Sequence, residues 1–193
     1  MLFAGLWATP ACAAPYVGVS AGLGLLNKSD IINHGGATDA DAIGYKAGVP
    51  FGVAIGFTSD CYRLEGAVGY QTHAQDTWHG VAVPSSDNAD VSVLSFMANG
   101  YYDICIKDSG VSPYLTGGIG LASVKFEDMG VTSLDESAFA WQVGAGIGVK
   151  ASENVVVDLG YRYFRVSDVT SKDGTADLTV AGSNILAGIR YSF

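Results

Sequence analysis

From Tyr16 to the end of the chain, apolar residues alternate with small or polar ones, and the alternation recurs eight times. The runs span about Tyr16–Leu26, Gly48–Thr58, Tyr62–Gln71, Val91–Asp103, Ser112–Lys125, Ala138–Lys150, Val155–Val166 and Val180–Phe193. A period of two puts successive side chains on opposite faces of a strand, so eight strands are predicted. In the second run Val49, Phe51, Val53, Ile55 and Phe57 oppose Pro50, Gly52, Ala54 and Gly56. In the sixth, Phe139, Trp141, Val143, Ala145, Ile147 and Val149 oppose Ala140, Gln142, Gly144, Gly146 and Gly148. The start of the fourth run stays ambiguous, because Val91 and Val93 have the parity of its polar face.

The second face is not a greasy one. It carries Arg63, Glu65, Asp158, Arg162 and Arg190 among many glycines. A soluble eight-stranded barrel such as a lipocalin turns its apolar face inward around a ligand. Charges with glycine make a poor lining for such a pocket. The opposite polarity, apolar outside and small or polar inside, is that of a transmembrane β-barrel. Connections alternate as well: 59–61, 104–110 and 151–154 are short, whereas 27–47, 72–90, 126–137 and 167–179 are long. Short turns at one rim and long loops at the other are the asymmetry of such barrels. The expected fold is all-β: an eight-stranded antiparallel up-and-down transmembrane β-barrel, with both termini on the periplasmic side.

Composition agrees. The 193 residues are 49% hydrophobic and 15% charged, with 26 glycines, against roughly 25% charged and 7% glycine in ordinary soluble chains. Beyond the N-terminus no apolar stretch approaches the roughly 20 residues of a membrane helix. The net charge of −9 argues against nucleic acid, which needs a basic face.

Residues 1–14, MLFAGLWATPACAA, read as a signal peptide cleaved near Ala13/Ala14, with 15–193 as the outer-membrane barrel domain. The basic n-region is missing, since the first basic residue is Lys28. Cys12 follows Thr9-Pro10-Ala11, a poor lipobox, and reads as a small residue removed with the signal.

Three stretches carry a resemblance. NVVVDLGYRY at 154–163, Asn99-Gly100-Tyr101-Tyr102-Asp103 and PYLTGGIG at 113–120 resemble the seventh, fourth and fifth strands of the OmpA-like and opacity-protein-like small outer-membrane barrels. The ending Tyr191-Ser192-Phe193 resembles the assembly signal of Gram-negative outer-membrane proteins. The resemblance implies the cell outer membrane of a Gram-negative bacterium. It also implies lipid, lipopolysaccharide and the barrel-assembly machinery as partners, with host or surface ligands at the loops. The implied role is structural and surface-exposed, in adhesion or recognition. A narrow channel for small solutes is one alternative and a lipid A-modifying enzyme another.

The resemblance also implies that Arg63, Glu65, Asp158, Arg162 and Arg190 form an interior ion network. Such a network is a structural plug or the gate of a pore. Cys61 just before the third strand and Cys105 just after the fourth fall at one rim of adjacent antiparallel strands. They form a disulfide there or remain two thiols out of register. Thirteen of the 19 acidic residues fall in the long segments, where they keep loops solvated or bind cations or basic partners. His34, His73 and His79 lie in those segments with no Cys or His cluster of metal-ligand spacing. No metal, cofactor or catalytic residue is expected. Tyr62, Tyr102, Tyr161, Tyr163, Tyr191 and Phe193 read as interfacial girdles, and Trp78 as a girdle residue or a partner anchor.

Overall fold

Every predicted run holds one long strand, and the eight strands close into a barrel. The computed structural model describes residues 13–26, 29–33, 38–45, 47–78, 81–82, 90–106, 109–127, 136–170 and 176–193. The segments are β1 (Ala14–Leu26), β2 (Ser29–Asn33), β3 (Thr38–Tyr45), β4 (Val49–Ser59), β5 (Tyr62–Trp78), β6 (Val81–Ala82), β7 (Asp90–Asp103), β8 (Val111–Glu127), β9 (Glu136–Lys150), β10 (Val155–Thr170) and β11 (Ala176–Ser192). Neighbours pair antiparallel in the order β1, β4, β5, β7, β8, β9, β10 and β11, and β11 pairs back onto β1. Among the described residues, closure pairs each of the eight long strands on both sides.

The register fixes the shape. Paired residues run from Tyr16 through Gly56, Glu65 and Asn99 to Gly118. They continue through Gln142, Phe164 and Gly182 and return to β1 at Leu26, ten residues beyond the start. That stagger on eight strands tilts them by roughly 40° from the axis, inside the usual range for barrels.

Alternation sorts the two faces as expected. Ile55 is 70% and Leu64 71% exposed on the outside, whereas Arg63 and Asn99 are buried inside. Val93, of ambiguous parity in the sequence, faces inward at 1% exposure, and its register with Gln71 is unbroken. Val93 joins Met97, Ala122, Ala140, Phe164 and Val166 in an apolar layer, all buried. The interior is therefore not only glycine and charge.

The long segments need a correction. Expected as loops, 27–47, 72–90, 126–137 and 167–179 instead carry strand at 29–33, 38–45, 72–78, 81–82, 90, 126–127, 136–137, 167–170 and 176–179. β2 and β3 form a hairpin that continues the wall above β1 and β4: β2 pairs β11, and β3 pairs β5 beyond residue 74. Beyond the apolar band neither face of the wall must be greasy. The backbone keeps pairing while the alternation that betrays a strand disappears. Nine of the thirteen acidic residues of these segments, Asp30, Asp39, Asp41, Asp76, Asp90, Glu127, Glu136, Asp168 and Asp177, lie on such strand extensions. Asp87, Asp128, Asp135 and Asp173 fall outside the described residues, as do the signal-peptide reading of 1–12, His34 and His79.

At the other rim the connections are short. β4 turns into β5 through Asp60 and Cys61. Asp60 has φ 44°, a left-handed conformation that Asp tolerates better than most side chains.

Val53 lies near the middle of the outward apolar band, 55% exposed. Val53→Arg should lower stability in liposomes by about 2–4 kcal/mol, the penalty for Arg at a bilayer midplane. Urea unfolding followed by tryptophan fluorescence measures it. An exposed site on a soluble barrel would shift by under about 0.5 kcal/mol.

Candidate functional site: the filled lumen

β5, β7, β10 and β11 aim their inward positions at one level near the short-turn rim. There Arg63 Nε and Nη2 donate to both Asp103 carboxylate oxygens at 2.7 and 2.8 Å. The side chains are 2% and 12% exposed. The Arg63 guanidinium also lies 4.1 Å from the centre of the Tyr101 ring and 4.9 Å from that of Tyr114. Arg190 makes a second two-pronged pair with Asp158, at 2.6 and 3.1 Å. A fork-to-fork geometry of this kind holds both charges in a fixed orientation.

Glu65 is held differently. Its Oε2 accepts from the Tyr16 hydroxyl at 2.9 Å. Its Oε1 accepts from Asn99 Nδ2 at 3.0 Å and from the Tyr101 hydroxyl at 2.9 Å. Arg162 Nη2 in turn donates to that Tyr101 hydroxyl at 3.2 Å. Tyr101 thus bridges the third cation and the third carboxylate. Three arginines face three carboxylates, so the formal charge of this layer balances.

Arg63, Glu65, Asp158, Arg162 and Arg190 are all brought into one lumen, but not as one cluster of ions. Asp103, Tyr16, Tyr101, Asn99 and Tyr114 were not among the residues expected in the network. Asp103 had a usable signal: as the last residue of the fourth run it shares the inward parity of Asn99 and Tyr101.

The glycines make room for this layer. A Cβ on Gly146 would sit 2.5 Å from the Tyr114 hydroxyl, and one on Gly56 would sit 2.7 Å from Tyr16 Cζ. Large inward side chains are thus met by bare backbone on neighbouring strands.

Further along the axis Gln142 Nε2 donates to Asn99 Oδ1, and Asn184 Nδ2 donates to Gln71 Oε1 at 3.3 Å. His73, expected in a loop, is instead on β5 and faces the lumen at 1% exposure. Between the charged layer and Phe164 lies a cavity of about 120 Å³. Ser20, Gln71, Ser95, Gln142, Arg162 and Asn184 are among its lining residues.

Below the charged layer Cys61 and Cys105 are bonded, with Cα atoms 5.9 Å apart. Asp103 N donates to the Cys61 carbonyl at 2.8 Å. Each cysteine is two residues from a member of the Arg63–Asp103 pair, so the bond ties together the strand ends that present it. On the outer wall, Tyr62 meets Tyr102 at 5.4 Å and Tyr191 meets Phe193 at 5.3 Å near this rim. Toward the opposite rim, Phe51 meets Tyr70 at 5.4 Å and Trp141 meets Tyr163 at 5.7 Å. The Tyr161 hydroxyl shares a hydrogen bond with Ser183 Oγ at 2.8 Å. Trp78 ends β5. Among the described residues, no three His, Cys, Asp or Glu side chains are placed to hold a metal ion.

The family model for the outer membrane protein beta-barrel domain matches residues 1–193. The chain belongs to that family. It is an outer-membrane protein of the Gram-negative type, and its apolar wall faces lipid. It is 32% identical to the outer membrane protein PagN of Salmonella typhimurium over 124 residues, 53% of this chain and 51% of PagN. It is 28% identical to the 25 kDa outer-membrane immunogenic protein of Brucella canis over 94% of this chain and 79% of that one. The chain spans about half the length of several of the curated relatives it matches. The crystal structure of Neisserial surface protein A shares the fold, with a TM-score of 0.65 at 23% identity, covering 95% of this chain and 100% of the other.

In this family member the Arg63–Asp103 pair is desolvated, so removing one partner strands the other. Asp103→Leu should lower stability by about 3–5 kcal/mol, whereas Arg63→Met with Asp103→Leu should recover most of the loss. Urea titration of the folded protein in liposomes reads both. Equal losses in single and double variants would mean that the pair is not the buried contact described.

Proposed function

We propose that this outer-membrane barrel is a structural scaffold whose lumen is a plug, and that it acts through the long segments at the rim away from the disulfide. The observation that carries this reading is the filling of the lumen at two levels. The two-pronged ion pairs and the Tyr101 bridge occupy one level, and Val93, Phe164 and Val166 the other. Eight strands leave an interior just wide enough for side chains, and here side chains fill it.

The short turns then lie in the periplasm and the long segments outside. An oxidising periplasm suits the Cys61–Cys105 bond. Tyr191 and Phe193, exposed at the end of β11, suit a signal read by the barrel-assembly machinery. The outer segments carry most of the acidic residues, so adhesion or recognition through them favours basic or cation-bridged partners. The name of the Brucella canis relative, an immunogenic outer-membrane protein, fits segments displayed on the cell.

Catalysis is not part of this reading. A lipid A-modifying enzyme needs its reacting groups at the lipid face, whereas His73 is buried toward the lumen. The polar cavity favours one second reading, a narrow channel for small solutes. Conduction would require both filled levels to rearrange.

Planar bilayers holding the protein should show no discrete conductance steps. Whole cells should lose surface binding by at least several-fold when the segment 27–47 or 72–90 is replaced by a two-residue turn, with the barrel still heat-modifiable on gels. Steps in the wild-type protein would favour the channel. Binding that survives every replacement would overturn the surface role.

A further inference from the structure

One cation lies on the wrong face for a lumen plug. Arg165 sits on β10 between Phe164, 4% exposed, and Val166, 0% exposed, both pointing inward. Arg165 therefore points outward, and it is exposed. Among residues whose side chains are described, it is the one charged side chain on the outward face of the eight strands. No ion pair holds it among the described residues. Its cross-strand neighbours are Trp141 on β9 and Ala181 on β11.

Its height explains how the wall tolerates it. Counting along the register, Arg165 lies roughly 20 Å along the axis from the level of Tyr16, near the far edge of an apolar band about 25 Å tall. Tyr163, two residues nearer the middle, packs against Trp141 at 5.7 Å. Aromatic girdles mark the membrane–water interface. Arg165 stands just beyond the girdle, and its long side chain lets the guanidinium reach the headgroup layer. Diagonal to it on β11 is Ser183, which pairs with Tyr163 and shares a hydrogen bond with the Tyr161 hydroxyl at 2.8 Å.

We infer that Arg165, with Trp141 across from it and Tyr163 beneath it, is a docking site for a phosphate of lipid A. A planar guanidinium takes a phosphate in two-pronged fashion, and the girdle rings beneath it suit the sugar and the start of the acyl chains. The outer leaflet supplies that phosphate at this height. The inference rests on the orientation proposed above, with the long segments outside.

Native mass spectrometry of the full chain in detergent tests it, and detergent has no sidedness. Wild-type protein should retain bisphosphorylated lipid A at least roughly tenfold better than the same lipid dephosphorylated, the worth of one charge-assisted contact. Arg165→Gln should lose that preference and Arg165→Lys should keep part of it. Heat-modifiable migration on gels verifies folding, and the two wild-type lipid arms stand without any variant. Equal retention of the two lipids by wild type, or a preference that survives Arg165→Gln, would overturn the site. Retention of phosphatidylglycerol as good as that of lipid A would make it a general phospholipid site and overturn the assignment. Displacement of lipid A by millimolar inorganic phosphate would do the same in favour of a free anion. Surface proteolysis of intact cells tests the orientation separately, so the two failures can be told apart.

Discussion

A backbone amide in hydrocarbon has no water to bond, and each unpaired one costs several kcal/mol. A sheet can lie in lipid only if its last strand pairs its first. Here the Tyr16–Ser192 to Leu26–Gly182 register of β1 with β11 does that. Closure on eight strands then fixes the bore. A bore that narrow holds side chains, not bulk water, so whatever points inward must be satisfied by its neighbours. The glycines, the fork-shaped ion pairs and the bridging tyrosine follow from that constraint.

Within the lumen, charge is neutralised by geometry as well as by count. Arg63 and Arg190 each meet a carboxylate directly. Glu65 is stabilised by three neutral donors, and its balancing cation, Arg162, reaches it through Tyr101. The aromatic rings also do steric work: Tyr101 and Tyr114 pack edge to face at 5.7 Å and flank the Arg63 guanidinium. Such a layer resists opening because moving one member strands another. The Cys61–Cys105 bond adds a covalent tie at the strand ends beneath it.

Much of the barrel was legible in the sequence, because lipid enforces alternation. The eight runs, their inward and outward residues and the short turns correspond to the observed strands. The inward charges Arg63, Glu65, Asp158, Arg162 and Arg190 could be read for the same reason: a charge opposite an apolar face must point inward. Their partners were harder to see. Asp103 and Tyr16 sit at the ends of their runs, where alternation does not show what a side chain pairs with, and Tyr101 was one of two adjacent tyrosines. β2, β3 and β6 were invisible because nothing outside the lipid band imposes a period of two. Arg165 was passed over because a single charge in an aromatic run looks like noise until parity and height are known.

The outward apolar wall, the filled lumen and the long outer segments are consequences of one inverted polarity. It can be measured along β4, whose eleven residues Val49–Ser59 cross the band. Spin labels placed one position at a time along β4 in liposomes report contact with lipid through their accessibility to oxygen. The account predicts alternation with a period of two and maxima at positions 51, 53, 55 and 57. Maxima at 50, 52, 54 and 56, or no alternation at all, would contradict it.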